Sequence, residues 1–241
     1  MRVVVTRPKH SGLRTAQRLA ALEHSPVLLP LTEPVHDTAA AERALAAPHS
    51  ALAVTSAEAI AVLAELGATL QPHLKTRLFT VGSATAQAAR ERGFTDIRTA
   101  GAGGGALADL IAADDHKIGA STDPLLYLAG LPRAPAFEQR LTANDIPFRV
   151  AACYVMQPVI QDPQELRRLL LDEPADAVLF YSFETARAFF DLPLIENNPC
   201  AFAQTRFLCL SAHVADAVRP LFRSQVAIAQ TPDEAALFAI L

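Results

Sequence analysis

Short apolar runs alternate with stretches of helical spacing along the whole chain. Arg2–Val5 is a β-branched run and reads as a buried strand. Thr6-Arg7-Pro8 ends it, and residues 12–23 place Leu13, Ala16, Leu19 and Ala20 at helical spacing. Residues 27–31 form the next strand, so residues 1–31 make one βαβ unit. Thr32-Glu33-Pro34-Val35 is an extended exit, because a residue before proline is pushed out of the helical region. Helices are then expected at 39–46, 57–66, 83–92, 106–113 and 135–144, with strands at 51–54, 77–81, 96–99, 125–128 and 148–152. Tyr154 falls just past the last of these runs, where the chain leaves the strand. Residues 158–162 are again extended. Helices at 163–171, 184–190, 212–222 and 233–241 alternate with strands at 177–180, 207–210 and 226–229. Ten strands in strict alternation with about as many helices predict parallel sheets covered by helices.

The pattern also repeats. Ala53–Ala59 (AVTSAEA) matches Leu179–Thr185 (LFYSFET), and Phe79–Ala86 (FTVGSATA) matches Leu208–Ala215 (LCLSAHVA). Ala106–Ile111 matches Ala236–Ile240, and Val3–Pro8 echoes Leu126–Pro132. A period of roughly 125 residues is a domain duplication; solenoid repeats are far shorter. A plain tandem would divide the chain near residue 123. Alternatively, residues 1–31 join 159–241 and the middle is inserted whole, with 32–37 and 154–162 as two extended, proline-bearing crossings that together form a hinge. Periodicity supports both groupings. Residues 148–158 are read as crossing back from one domain to the other, and a substrate cleft is expected beside them.

Length and composition narrow the class. The 241 residues are comfortable for two cores, 51% of them are hydrophobic, and the net charge is −4. That balance lacks the basic footprint of a nucleic-acid binder. Cys153, Cys200 and Cys209 fit no metal or CxxC spacing and read as free thiols of a reducing cytoplasm. The N-terminus enters a strand at once without a signal-peptide core, and no apolar run reaches the roughly 18–20 residues that span a bilayer. The seven histidines form no helical metal pair, so no metal is expected. The glycine run 101–105 hints at a phosphate loop but lacks its lysine, which disfavours a nucleotide-dependent enzyme.

Ligands of open parallel sheets bind at the carboxyl ends of the strands. Here those ends carry Thr6-Arg7, Thr55-Ser56, Gly82-Ser83, Gly130 with Arg133, Tyr154, Tyr181-Ser182, Ser211 and Thr231. Several precede helix N-termini, where free N–H groups favour an anion. The implied ligand is small, oxygen-rich and negative. For each Ser or Thr the plain alternative is helix capping, and for Tyr154 a core ring with a satisfied hydroxyl.

Thr6-Arg7-Pro8, Pro30-Leu31, Thr55-Ser56, Val81–Ala86 (VGSATA), Cys153-Tyr154, Phe180-Tyr181-Ser182 and Gln230-Thr231-Pro232 followed by Ala236-Leu237 resemble, in order and spacing, the uroporphyrinogen-III synthase family. The resemblance spans nearly the whole chain. It implies the inserted arrangement: two flavodoxin-like α/β domains, one of residues 1–34 and 157–241 and the other of 35–156, joined by a two-stranded extended hinge. It implies a cofactor-free, monomeric, cytoplasmic lyase that closes hydroxymethylbilane, a linear tetrapyrrole with eight carboxylates, to uroporphyrinogen III with ring D inverted. A transient contact with hydroxymethylbilane synthase goes with that role. Tyr154 matches the family tyrosine proposed as proton donor. Thr6, Arg7, Thr55, Ser56, Gly82, Thr85, Arg133, Ser182, Arg206, Ser211 and Thr231 become candidate substrate contacts. One motif departs: where the family resembles Gly-x-Thr-Thr-Ala, this chain has Ser211-Ala-His-Val-Ala215, and Val214 offers no hydroxyl. The rival reading is a non-enzymatic two-domain clamp for a small polyanionic metabolite, which shares every feature except the need for a proton donor.

Overall fold

A computed structural model describes residues 1–101, 103–114 and 123–241. In chain order the elements are β1 (Arg2–Val5), α1 (Lys9–Ala21), β2 (Ser25–Leu28), β3 (Thr32–His36), α2 (Thr38–Ala46), β4 (Ala51–Val54), α3 (Ala57–Glu65), β5 (Leu78–Thr80), α4 (Ser83–Glu91), β6 (Ile97–Thr99) and α5 (Gly104–Ala112). There follow β7 (Leu125–Leu131), α6 (Ala136–Ala143), β8 (Phe148–Pro158), α7 (Pro163–Arg167), β9 (Ala177–Phe180), α8 (Phe183–Phe190), α9 (Pro193–Asn197), β10 (Arg206–Cys209), α10 (Ala212–Ala215), β11 (Val226–Ile228) and α11 (Glu234–Phe238).

Two compact units result. One comprises residues 1–33 and 157–241, the other residues 34–156. The first holds a five-stranded sheet in the order β11-β10-β9-β1-β2, all parallel. Renumbered within the unit, this is the flavodoxin-like order 2-1-3-4-5. Val3, Val4 and Val5 of β1 and all of β9 are fully buried, because helices cover both faces and leave no position for a polar residue. An aromatic cluster of Phe180, Phe189, Phe190, Phe202, Phe207 and Phe222 fills one face. Val3, Val5, Leu19, Leu179, Leu208 and Leu237 fill the other.

The second unit carries six strands in the order β3-β8-β7-β4-β5-β6. The pairs β8-β7, β7-β4, β4-β5 and β5-β6 are parallel. With β3 set aside, the spatial series β6-β5-β4-β7-β8 corresponds in order to β11-β10-β9-β1-β2. The sequence repeat says the same: the matched segments are those around β4 and β9, β5 and β10, α5 and α11, β7 and β1. The duplication is therefore tandem along the chain and exchanged in space. Each unit takes the βαβ portion of one copy and the three-strand portion of the other. The two groupings that periodicity supports each describe one aspect of this swapped duplication.

Local differences have local causes. The segment 32–36 is a strand at the edge of the second sheet, not merely an extended exit. The helix expected over 212–222 stops at Ala215, and a 3-10 turn takes over at Pro220, whose ring cannot continue a helix. The strand expected to end at Ala152 runs on to Pro158, so Tyr154 lies inside β8 and not beyond it.

Candidate functional site

The run-on of β8 has a consequence for side-chain direction. Its register with β7 pairs Ala129 with Ala152 but Gly130 with Tyr154, so Cys153 is an extra residue, a β-bulge. A bulge turns two consecutive side chains to one face. Cys153 and Tyr154 both join the cluster of Leu52, Val54, Ile60, Leu63, Leu126 and Leu128. The Tyr154 ring lies across Gly130, and a Cβ there would stand 2.6 Å from the tyrosine hydroxyl and nearer still to ring carbons. Gly130 is thus the floor beneath Tyr154.

Around this floor is a pocket of about 190 Å³, lined among others by Thr55, Tyr127, Gly130, Arg133, Phe137 and Tyr154. It opens at the carboxyl end of β4 and β7, where doubly wound sheets bind ligands. Tyr127 rises from the opposite face of the sheet, packed edge-on against Phe137 at 4.8 Å between ring centres. Its hydroxyl is 3.0 Å from Thr55 Oγ1. Ser56, the next residue, caps α3 by accepting from the Glu58 N–H and lies near enough to Tyr154 to lower its hydroxyl pKa. Of the two consecutive hydroxyls at the end of β4, Thr55 serves Tyr127 and Ser56 the helix start.

Tyr154 is only 7% exposed. Burial pushes its hydroxyl up to about 12, the Ser56 hydrogen bond opposes the shift, and nearby Glu58 adds to it. Burial likewise raises the Tyr127 hydroxyl, with Thr55 and the Arg133 charge pulling it back. Both phenols are neutral O–H groups at physiological pH. Arg133 stands on the turn after β7 at the pocket edge, its Nε 2.5 Å from Glu138 Oε1 on α6 in an ion pair. The glycine run finds a packing use: a Cβ on Gly104 would meet Phe137 Cβ at 2.9 Å, so Gly104 lets α5 lie close on α6. Ala102 of that run lies outside the described residues.

The remaining expected contacts lie as follows. Gly82 caps α4 at the end of β5 with open space where a side chain would be, and Thr85 is buried one turn on. In the first unit, Ser182 and Ser211 cap α8 and α10 by accepting from the N–H groups of Thr185 and Val214. Thr231 donates to Asp233 Oδ2 at 2.6 Å. Thr6 is fully buried and donates to the Leu179 carbonyl, so its hydroxyl serves the sheet. Arg206 begins β10, at the amino end of the sheet, and its guanidinium donates to the carbonyls of Ile240 and Leu241. It does not share an edge with the other candidates.

Arg7 enters a polar clasp that sequence reasoning missed. Glu234 Oε1 accepts from Thr15 at 2.6 Å, from the Tyr181 hydroxyl at 2.7 Å and from Arg7 at 3.1 Å, while Arg18 holds Oε2. The Arg7 guanidinium also lies over the Tyr181 ring, 4.2 Å from its centre. Burial alone would raise the Glu234 carboxyl, but the Thr15 and Tyr181 hydrogen bonds and the two arginine charges outweigh it and hold it below the usual range. His213 stacks on Phe183, centres 5.0 Å apart, beside the two serine caps. A signal for Tyr127 was present: the chain has only three tyrosines, and one placed inside an apolar strand needs a partner for its hydroxyl.

Comparison with known proteins adds the family. The family model described as "Uroporphyrinogen-III synthase HemD" matches residues 14–239. No curated protein matches the chain in sequence. Among solved structures, the uroporphyrinogen-III synthetase of Helicobacter pylori is 18% identical with a TM-score of 0.63, covering 100% of this chain and 98% of that one. A mutant uroporphyrinogen-III synthase of the extremely thermophilic bacterium Thermus thermophilus is 17% identical with a TM-score of 0.60, covering 99% and 96%. At these identities the likeness concerns the fold.

Proposed function

The chain belongs to the uroporphyrinogen-III synthase family, and from that premise we propose that the pocket around Tyr154 carries out the cyclodehydration of hydroxymethylbilane to uroporphyrinogen III. The observation that supports this role most directly is a neutral, buried phenol, seated over Gly130, on the wall of an open pocket edged by an arginine.

The chemistry needs one proton at one atom. Tyr154 donates to the hydroxyl of the substrate as its C–O bond breaks, and water leaves. The electron pair of the adjacent pyrrole nitrogen fills the vacancy and gives an azafulvenium ion. The substituted α-carbon of ring D attacks the methylene, and the spiro intermediate opens and recloses with that ring inverted. The final loss of a carbon-bound proton returns one to the tyrosine oxygen, so substrate yields product and one water. A hydroxyl held near 12 is a weak acid at neutral pH. The proton therefore moves in step with C–O cleavage, assisted by the pyrrole nitrogen, rather than ahead of it.

Arg133 on the pocket edge and the N–H groups at the start of α4 are donors suited to carboxylates. A pocket of about 190 Å³ is below the roughly 300–1,000 Å³ typical of whole-ligand sites, so it takes only part of a tetrapyrrole. Both chain crossings lie in β3 and β8, which we take as the hinge. Among the described residues no helix is long and apolar enough to cross a membrane. The unpaired thiols favour the cytoplasm, and the enzyme works as a monomer. Because the substrate closes unaided to the uninverted isomer I, direct hand-over from hydroxymethylbilane synthase is part of the proposal.

The test is to supply hydroxymethylbilane, oxidise the products and separate the porphyrin isomers. Isomer III is expected. Formation of isomer I alone, with ligand still bound, would favour the clamp reading.

A further inference from the structure

The Tyr154 pocket contains a second phenol whose position has no packing reason to be a tyrosine. Tyr127 is almost wholly buried in one cluster with Phe79 and Phe137, where a phenylalanine would pack equally well. A buried hydroxyl lowers stability unless it is partnered. The partner here is the side chain of Thr55, which itself faces the pocket.

We propose that Tyr127 is a positioning residue for the ring-inverting reaction: through its 3.0 Å hydrogen bond it fixes the rotor of the Thr55 hydroxyl on the pocket wall. An unpaired threonine hydroxyl turns freely and presents donor and acceptor in random order. Bonded to Tyr127 on one side, Thr55 offers its remaining hydrogen-bonding capacity in one direction, into the pocket. The two tyrosines approach from opposite faces of the sheet, and the exit of β4 holds Tyr127 through Thr55. Oriented donors matter most in the later steps, where the azafulvenium ion closes correctly only if the terminal ring is held in one pose. This rests on the reading of the pocket as the site of cyclodehydration.

The experiment compares wild type, Tyr127→Phe, Thr55→Val, Thr55→Ser and the Tyr127→Phe/Thr55→Val double variant for kcat, KM, isomer ratio and Tm. Tyr127→Phe is expected to lower kcat about tenfold, the order of effect of a small misplacement, and to raise the share of isomer I. The double variant should lose no more than Thr55→Val alone, since one hydroxyl acts through the other. Thr55→Ser, which keeps the hydroxyl, should restore most of the activity. Losses that add in the double variant, an unchanged isomer ratio, or a fall in activity that follows Tm alone would each overturn the proposal. A wild-type chain yielding only isomer I would instead overturn the functional reading on which it rests.

Discussion

Gly130→Ala should disable the enzyme without touching a reactive group. The added methyl would stand 2.6 Å from the Tyr154 hydroxyl and closer to its ring, where ordinary contact begins near 3.4 Å. The backbone of β7 is fixed by its ladder with β4 and β8, so the ring must yield. It has to swing by about 1 Å or more at the end that carries the hydroxyl. The overpacking costs about 1–3 kcal/mol of stability. The functional cost is larger in proportion, because a displacement of that size lowers turnover by as much as ~100-fold. Isomer III formation from hydroxymethylbilane should therefore fall about 10–100-fold while circular dichroism stays native and Tm drops by a few degrees. Gly130→Ala/Tyr154→Phe should be no slower than the slower single variant. Full turnover in Gly130→Ala would show that the place of the Tyr154 ring does not govern the reaction.

Tyr154→Phe keeps the ring over Gly130 and removes only the proton, so turnover should drop about 10–100-fold with little change in Tm; unchanged turnover would make Tyr154 a packing residue. Glu234→Gln should cost about 2 kcal/mol, below the 3–5 of a fully buried broken pair because Arg18 is half exposed. Since the native Glu234 carboxyl is held below its unfolded value, its stabilisation is full above about pH 4.3 and is lost as pH falls through the native value. The Tm gap between wild type and Glu234→Gln should accordingly close in acid; a gap constant with pH would show that charge is not what the clasp contributes. Arg206→Ala should lower Tm by freeing the C-terminal carbonyls and leave KM unchanged; a raised KM would return Arg206 to the substrate contacts.

The fold was legible where one principle sufficed. Runs such as Val3–Val5 and Ala51–Val54 can only be buried parallel strands, and their alternation with helices fixes an α/β class. Boundaries were less legible where long-range pairing competes with local propensity. Thr32–His36 carries a proline and looks like a linker, yet as an edge strand it tolerates one. The bulge at Cys153 leaves no trace in composition, because its cause is the register of β8 on β7. Sequence reasoning for that reason put Tyr154 beyond the strand, when it sits inside it. Ser56, Ser182 and Ser211 were read both as caps and as ligand contacts, and the geometry shows the caps. Glu234 escaped notice because its partners Thr15, Arg18 and Tyr181 are distant in sequence and meet only in the folded unit.

The swapped duplication makes the clasp and the pocket comparable. Arg7 follows β1 as Gly130 ends β7, and Tyr181 follows β9 as Thr55 follows β4, so the two clusters grew from equivalent strand ends. In the first unit the long Arg7 side chain lies over a tyrosine, and Glu234 gathers the donors that converge there. In the second, the Tyr154 ring lies across Gly130, Thr55 pairs with Tyr127 and Arg133 with Glu138, around an open pocket. Matched strand ends thus carry different arrangements in the two units. In the first unit two arginines and two hydroxyls converge on the Glu234 carboxylate, whereas in the second a neutral phenol lines an open pocket. The candidate proton donor Tyr154 accordingly belongs to the second unit, while Arg7 of the first is committed to Glu234.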